Sequence, residues 1–178
     1  MGRRAGWRKF GVWVVLFVLI VWPVYRIYGY FTQHEASYDA SLLLYQVSQF
    51  QVELLNSSLS EADKAGMTNE LDSLRLTAFS AGYTHERLVL ALGQSKLTKL
   101  ASIEQLVQFV TRLQIGGDRA LKQEERDTFG KASLLFKQMY EVYGKLLTSG
   151  GRTVSSQNDK LAGLDKELEE LLRKRLLR

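Results

Sequence analysis

The chain's one proline is Pro23, and from Val24 to Arg178 nothing interrupts the backbone as proline does. A proline inside a helix costs about 3 kcal/mol, so a long stretch without one leaves helix open everywhere and lets apolar spacing decide. Four segments show that spacing at intervals of three and four residues, the pattern of helices packing along one seam. The first is Ala40, Leu43, Val47, Phe50 and Leu54, and the second is Leu71, Leu74, Ala78, Ala81, His85, Leu88 and Leu92. The third is Ile103, Leu106, Val110 and Leu113, and the fourth is Phe129, Ala132, Phe136, Met139, Tyr143 and Leu146. Ser102 with Gln105 reads as a capping box opening the third helix, and Gly116-Gly117 and Gly150-Gly151 read as stops for the third and fourth. No alternating β-branched run signals a strand. The fold class is therefore all-α, an antiparallel helical bundle over 36–149. A polar linker, 150–158, leads to a C-terminal amphipathic helix, 159–178. In that helix Leu161, Leu164, Leu168 and Leu171 form a short coiled-coil-like seam, able to pack back on the bundle or to receive a partner helix.

Ahead of the bundle, Phe10 to Tyr25 carries no charge. As a helix it is about 24 Å long, a little short of a hydrocarbon core of about 30 Å, and an aromatic extension to Phe31 makes up the difference. Segment 10–31 is thus predicted to be a single transmembrane anchor, its apolar body including Phe10, Val14, Phe17, Ile20, Trp22, Pro23 and Tyr25. Tryptophans and tyrosines at its two ends match the aromatic belts of a bilayer. Arg3, Arg4, Arg8 and Lys9 in segment 1–9 outweigh Arg26 on the far side, which predicts a cytoplasmic N-terminus and an extracytoplasmic C-terminal domain in the cell membrane. A cleaved signal peptide fits less well: cleavage after Ala36 or Ala40 would place His34 or Tyr38 where a small residue is needed.

The basic balance, pI about 9.4, belongs to the anchor. Five of the 24 basic residues and none of the 19 acidic ones lie in 1–32, leaving 19 of each in 33–178. A domain neutral overall is not the footprint of a nucleic-acid binder. With no cysteine, disulfides, thiolate metal sites and cysteine nucleophiles are excluded.

Catalytic signals are poor. His34 lies where the anchor ends, and His85 falls in the second seam, where it reads either as a hydrogen-bonded structural histidine or as a pH-sensitive core group. No histidine spacing suggests a metal, and no cofactor is implied. The acids Glu124, Glu125 and Asp127, and Glu167, Glu169 and Glu170, read as solvated faces or helix-start charges. Neither a phosphate-binding glycine loop nor a nucleophile elbow is present. Gly82, Gly93, Gly130 and Gly144 fall inside helical patterns, where they would allow close helix approach.

The stretches LDSLRLTAFSAGYTHERLVLAL, IEQLVQFVTRLQ and LKQEERDTFGKASLLFKQMYEVYGKLL follow the apolar run in order. In that order and spacing, over roughly residues 10–148, the chain resembles the N-terminal half of the YpeB family of spore-germination proteins. Those have a basic N-terminus, one membrane helix and a helical region ahead of C-terminal PepSY-type domains, which this sequence does not contain. The resemblance implies a sporulation or germination role in holding a cortex-lytic enzyme in place. The residues themselves imply a non-enzymatic interaction or scaffold protein of the bacterial envelope, partnered by the lipid bilayer and by an envelope protein or a second copy. The alternative is a ligand-sensing bundle that signals through a partner membrane protein.

Overall fold

The computed structural model describes residues 21–22 and 40–176. The chain divides into two units, Met1–Ala40 and Ser41–Arg178. Of the anchor read in 10–31, only Val21 and Trp22 fall among the described residues, both helical and exposed. The other anchor positions and the four N-terminal cations lie outside them. Among the described residues no helix is long and apolar enough to cross a membrane.

The second unit is a helical bundle. Helix α1 covers 40–62, and a short 3-10 turn at Thr68–Leu71 leads into α2, Asp72–Leu92. Helices α3, Ala101–Ile115, α4, Gln123–Tyr143, and α5, Ser155–Leu176, follow. No strand forms among the described residues; two isolated bridges, Met67 to Ala120 and Leu147 to Thr153, pin the connections. Helix α2 packs on α3, α3 on α5 and α5 on α4. The ring closes through α1, joined to α2 by Ser80 and Gln51 and to α4 by Tyr45 and Tyr143. Sequential helices run up and down, so a ring of five must contain one parallel pair. That pair is α3 and α5: Ser102 meets Asp165 at one end, and Arg112 reaches Leu176 at the other.

The seams read for α2, α3 and α4 are buried apart from Leu92, which is partly buried against the core. Phe109 and Phe129 meet across the centre at 5.4 Å between ring centroids, inclined at 56°. Helix α1 departs from its expected seam. Ala40, Leu43, Val47, Phe50 and Leu54 are all exposed, while Tyr45, Ser48, Val52, Leu55, Leu59 and Ala62 face the core. Both sets follow three-and-four spacing, so periodicity cannot choose between them. The inward set carries Tyr45 and Ser48, which satisfy α4 from inside the bundle.

The C-terminal helix belongs to the same unit as the bundle. It starts at Ser155, inside the stretch read as a linker, and α4 stops at Gly144 rather than at Gly150-Gly151. A tight turn with Gly151 at φ 72° joins them. Gly82 supports close approach as expected: a Cβ there would lie 3.2 Å from Ile103 Cγ2 on α3. Gly93 instead ends α2, at φ 102°. Gly130 sits within α4, where an added Cβ would meet nothing inside 4 Å. Gly130→Ala should therefore raise unfolding free energy by about 0.5–1 kcal/mol, since alanine restricts the unfolded chain and meets no clash. Chemical denaturation followed by helical circular dichroism would measure it, and an unchanged midpoint would mean that α4 is frayed there.

Candidate interaction surface

Three helices meet at a buried polar chain that fixes the α1–α2 pair. Tyr143 ends α4 and is buried; Tyr45 on α1 stacks near it at 6.0 Å and donates its hydroxyl to the Tyr143 carbonyl at 2.6 Å. His85 on α2 lies 2.8 Å from the Thr98 carbonyl through Nε2 and 2.9 Å from the Tyr143 hydroxyl through Nδ1. A carbonyl only accepts, so Nε2 carries the proton and Nδ1 accepts from Tyr143. The Ser48 hydroxyl, 2.6 Å away, then donates to the Tyr143 oxygen. Beyond the ring, the Thr98 N–H donates to Asn158 Oδ1 on α5 at 2.8 Å. Burial pulls His85 down to about 4, with the Thr98 carbonyl acting in the opposite sense. Burial likewise pushes the Tyr143 hydroxyl up, against the Ser48 hydrogen bond. The side-chain polar atoms of Tyr45, Ser48, His85 and Tyr143 all have partners, and the histidine is neutral at pH 7. It is a tie between helices, with no group left over to attack or to ligate.

A second buried group, Asp165 on α5, holds the start of α3. Its carboxylate accepts the Ala101 N–H at 3.1 Å, the Ser102 N–H at 3.0 Å and the Ser102 hydroxyl at 2.5 Å. The expected capping box is thus replaced: Ser102 lies inside the first turn, and the cap comes from another helix. Burial raises the Asp165 carboxyl, opposed first by Ser102 and then by Ala101.

The acids that could suggest catalysis are occupied or solvated. Glu125 pairs with Arg119 through two oxygens, at 2.6 and 2.9 Å, and its Oε2 also accepts the Lys122 N–H at 2.8 Å. The Arg119 hydrogen bond holds that carboxyl below its usual range. Glu124 reaches Arg175 on α5 at 3.2 Å. No cluster of acids and histidines suited to a metal ion occurs among the described residues.

The outer face of α1 and α2 is different. Gln51 accepts from Ser80 at 2.8 Å, and Ser58 lies 3.5 Å from Ser73, so the two helices run antiparallel with a polar seam between them. Beside that seam, pointing away from the core, α1 presents Leu43, Val47, Phe50 and Leu54. Helix α2 presents Leu76, Phe79, Tyr83 and Leu90, with Phe79 66% exposed and Phe50 55%. Helical periodicity puts both stripes on the same side of the pair, opposite Val52, Leu55, Leu74 and Ala81. Single exposed apolar residues are ordinary, but a stripe of four on each of two neighbouring helices makes this face a candidate interaction surface. Residues 41–60 contain one charge, Glu53. On the α2 side, Arg87 lies over the Tyr83 ring at 4.9 Å and shields little of it.

Beyond Phe79 and Tyr83 the face continues into a cleft of about 580 Å³ between α2 and α3. Ala78, Gly82, Ile103 and Val107 line its apolar part; Glu86, Lys99 and Glu104 bring charge to it.

The leucines read as a partner seam are placed differently. Leu161 and Leu168 are wholly buried, and Leu164 and Leu171 are partly buried against the core. The inward stripe of α5 is Leu161, Asp165, Leu168 and Leu172, covered by α3 and α4 of the same chain. The seam is satisfied intramolecularly and offers no free docking strip. The apolar face escaped the sequence reading on α2, where Leu76, Phe79, Tyr83 and Leu90 repeat beside a stronger seam. No protein-family model matches the chain, and comparison with curated proteins and with solved structures returns no match.

Proposed function

We propose that this chain is a non-catalytic, membrane-anchored interaction module whose working surface is the outer face of α1 and α2. The observation that carries the reading is that face: eight large apolar side chains are exposed on α1 and α2 of a bundle whose buried His85, Tyr143 and Asp165 are all hydrogen-bonded. The uncharged run at Phe10–Tyr25 and the basic residues before it support a single-pass anchor with the bundle on the extracytoplasmic side. A scaffold needs a rigid body as well as a sticky face, and the ties through Tyr143 and Asp165 supply the rigidity. The resemblance in helix order to the YpeB family would place this module in sporulation or germination, with a wall-lytic enzyme as its client.

The cleft between α2 and α3 favours a second reading, a small-molecule sensor. Its continuity with Phe79 and Tyr83 fits a single docking surface better than a separate enclosed pocket.

A variant with Phe50→Ser, Phe79→Ser and Tyr83→Ser tests the proposal, because all three side chains are exposed and the core is untouched. Protein captured by crosslinking in intact cells should be lost in the variant while helicity is kept. Equal capture by both forms would exclude this face as the contact. Orientation has its own assay, since the chain lacks cysteine. A lone cysteine at the exposed Ser57 should react with a membrane-impermeant maleimide in whole cells or spheroplasts, and protection there would reverse the topology.

A further inference from the structure

We infer that the occupant of the α1–α2 face is a second copy of this chain, bound in parallel about a two-fold axis that runs along α1. The inference rests on the proposed interaction reading and names the partner.

Leu43, Val47, Phe50 and Leu54 are spaced four, three and four residues apart, the core register of a two-stranded coiled coil. Along such an axis each core residue meets its own counterpart, so the surface must tolerate itself. This one does, because Glu53 is the only charge in 41–60 and its exposed side chain falls off the stripe. A surface built for a charged partner would carry the complementary charge, and like charges facing across a symmetric contact are unfavourable.

A strip of three turns is too short to hold two helices together alone. Leu76, Phe79, Tyr83 and Leu90 on α2 widen it, so that α1 of each copy seats against both α1 and α2 of the other. Eight side chains of this size, each close to half exposed, present on the order of 700 Å². That is near the roughly 800 Å² that each partner of a specific interface contributes. The predicted anchors would keep both copies in one membrane with α1 leaving in the same direction, which selects the parallel arrangement. Confinement to a membrane also raises the effective concentration of one copy near another.

The test uses the full chain in native membranes, with single cysteines placed in a sequence that has none. Val47→Cys and Phe50→Cys should each form a disulfide-linked dimer under mild oxidation. Glu170→Cys, exposed on α5, should give less than a tenth as much. Adding Phe79→Ser and Tyr83→Ser to Val47→Cys should reduce the dimer several-fold. Equal linkage at all three positions would indicate random collision and overturn the inference. So would no linkage at Val47 or Phe50. In that second case, a photoreactive residue at Phe50 decides about the parent reading: an adduct with a different protein keeps the interaction surface and changes its occupant. The absence of any adduct removes both.

Discussion

Acidification from pH 7 to pH 4 is expected to remove about 3 kcal/mol of stability through His85 alone. The buried ring titrates at about 4 in the fold, against 6.5 for an ordinary histidine. Between those values the unfolded chain binds a proton that the folded chain refuses, so the free energy of unfolding rises with pH. The contribution is complete above pH 6.5 and is lost as pH falls toward 4. Each unit of difference corresponds to about 1.4 kcal/mol. Protonation would also put a donor at Nδ1, facing a Tyr143 hydroxyl that now donates to it. Glu125, lowered by Arg119, adds to the acid loss, while Asp165, raised by burial, works against it. His85→Gln isolates the histidine, because its amide can still donate to Thr98. The variant should start lower at pH 7 and show a shallower loss between pH 6.5 and 4. Urea unfolding of the full chain in mild detergent, at several pH values, gives both curves. Parallel curves would mean that His85 is not buried as described.

Asp165→Ala is expected to cost about 3 kcal/mol. It removes an acceptor that serves two backbone N–H groups and the Ser102 hydroxyl at once. Losing a helix cap costs about 1 kcal/mol, and a buried donor left without a partner costs roughly 1–3 kcal/mol more. Asp165→Asn keeps the shape but replaces one acceptor oxygen with a donor, so it should recover only part of the loss. The damage should be local as well as global. Amide exchange at the start of α3 should accelerate before that of α4, because the cap is the tie between α5 and α3. A variant as stable as the wild type would show that α5 does not dock in this register.

These two groups mark where the sequence was legible. In α2, α3 and α4 one apolar stripe dominates, so spacing alone identified the inward face. In α1 two stripes compete, and the outward one is the more apolar; Tyr45 and Ser48 turn the helix because α4 presents Tyr143 to them. In α5 the inward stripe contains an acid. Spacing favoured Leu161, Leu164, Leu168 and Leu171, whereas the helix is rotated to bring Asp165 and Leu172 inward. A carboxylate at a core position reads as an error until the helix start that it caps is known. His85 was legible as a seam residue, and its partners, Tyr143 and Thr98, were not. The α1 half of the proposed surface is the remainder of that outward stripe, Leu43, Val47, Phe50 and Leu54, which the described residues leave exposed.

Whether the α1–α2 face is covered in the cell decides whether it is a working surface at all. A photoreactive amino acid placed in turn at Phe50, at Phe79 and at Leu134 answers this, since all three are large, apolar and exposed, and Leu134 lies on α4. On irradiation of intact cells, Phe50 and Phe79 should give a discrete adduct, and Leu134 should give only background. For a second copy as occupant, the adduct has twice the mass of the 20.3 kDa chain. An adduct at Leu134 as strong as that at Phe50 and Phe79, or none at the latter two, would contradict the claim that this face is the working surface.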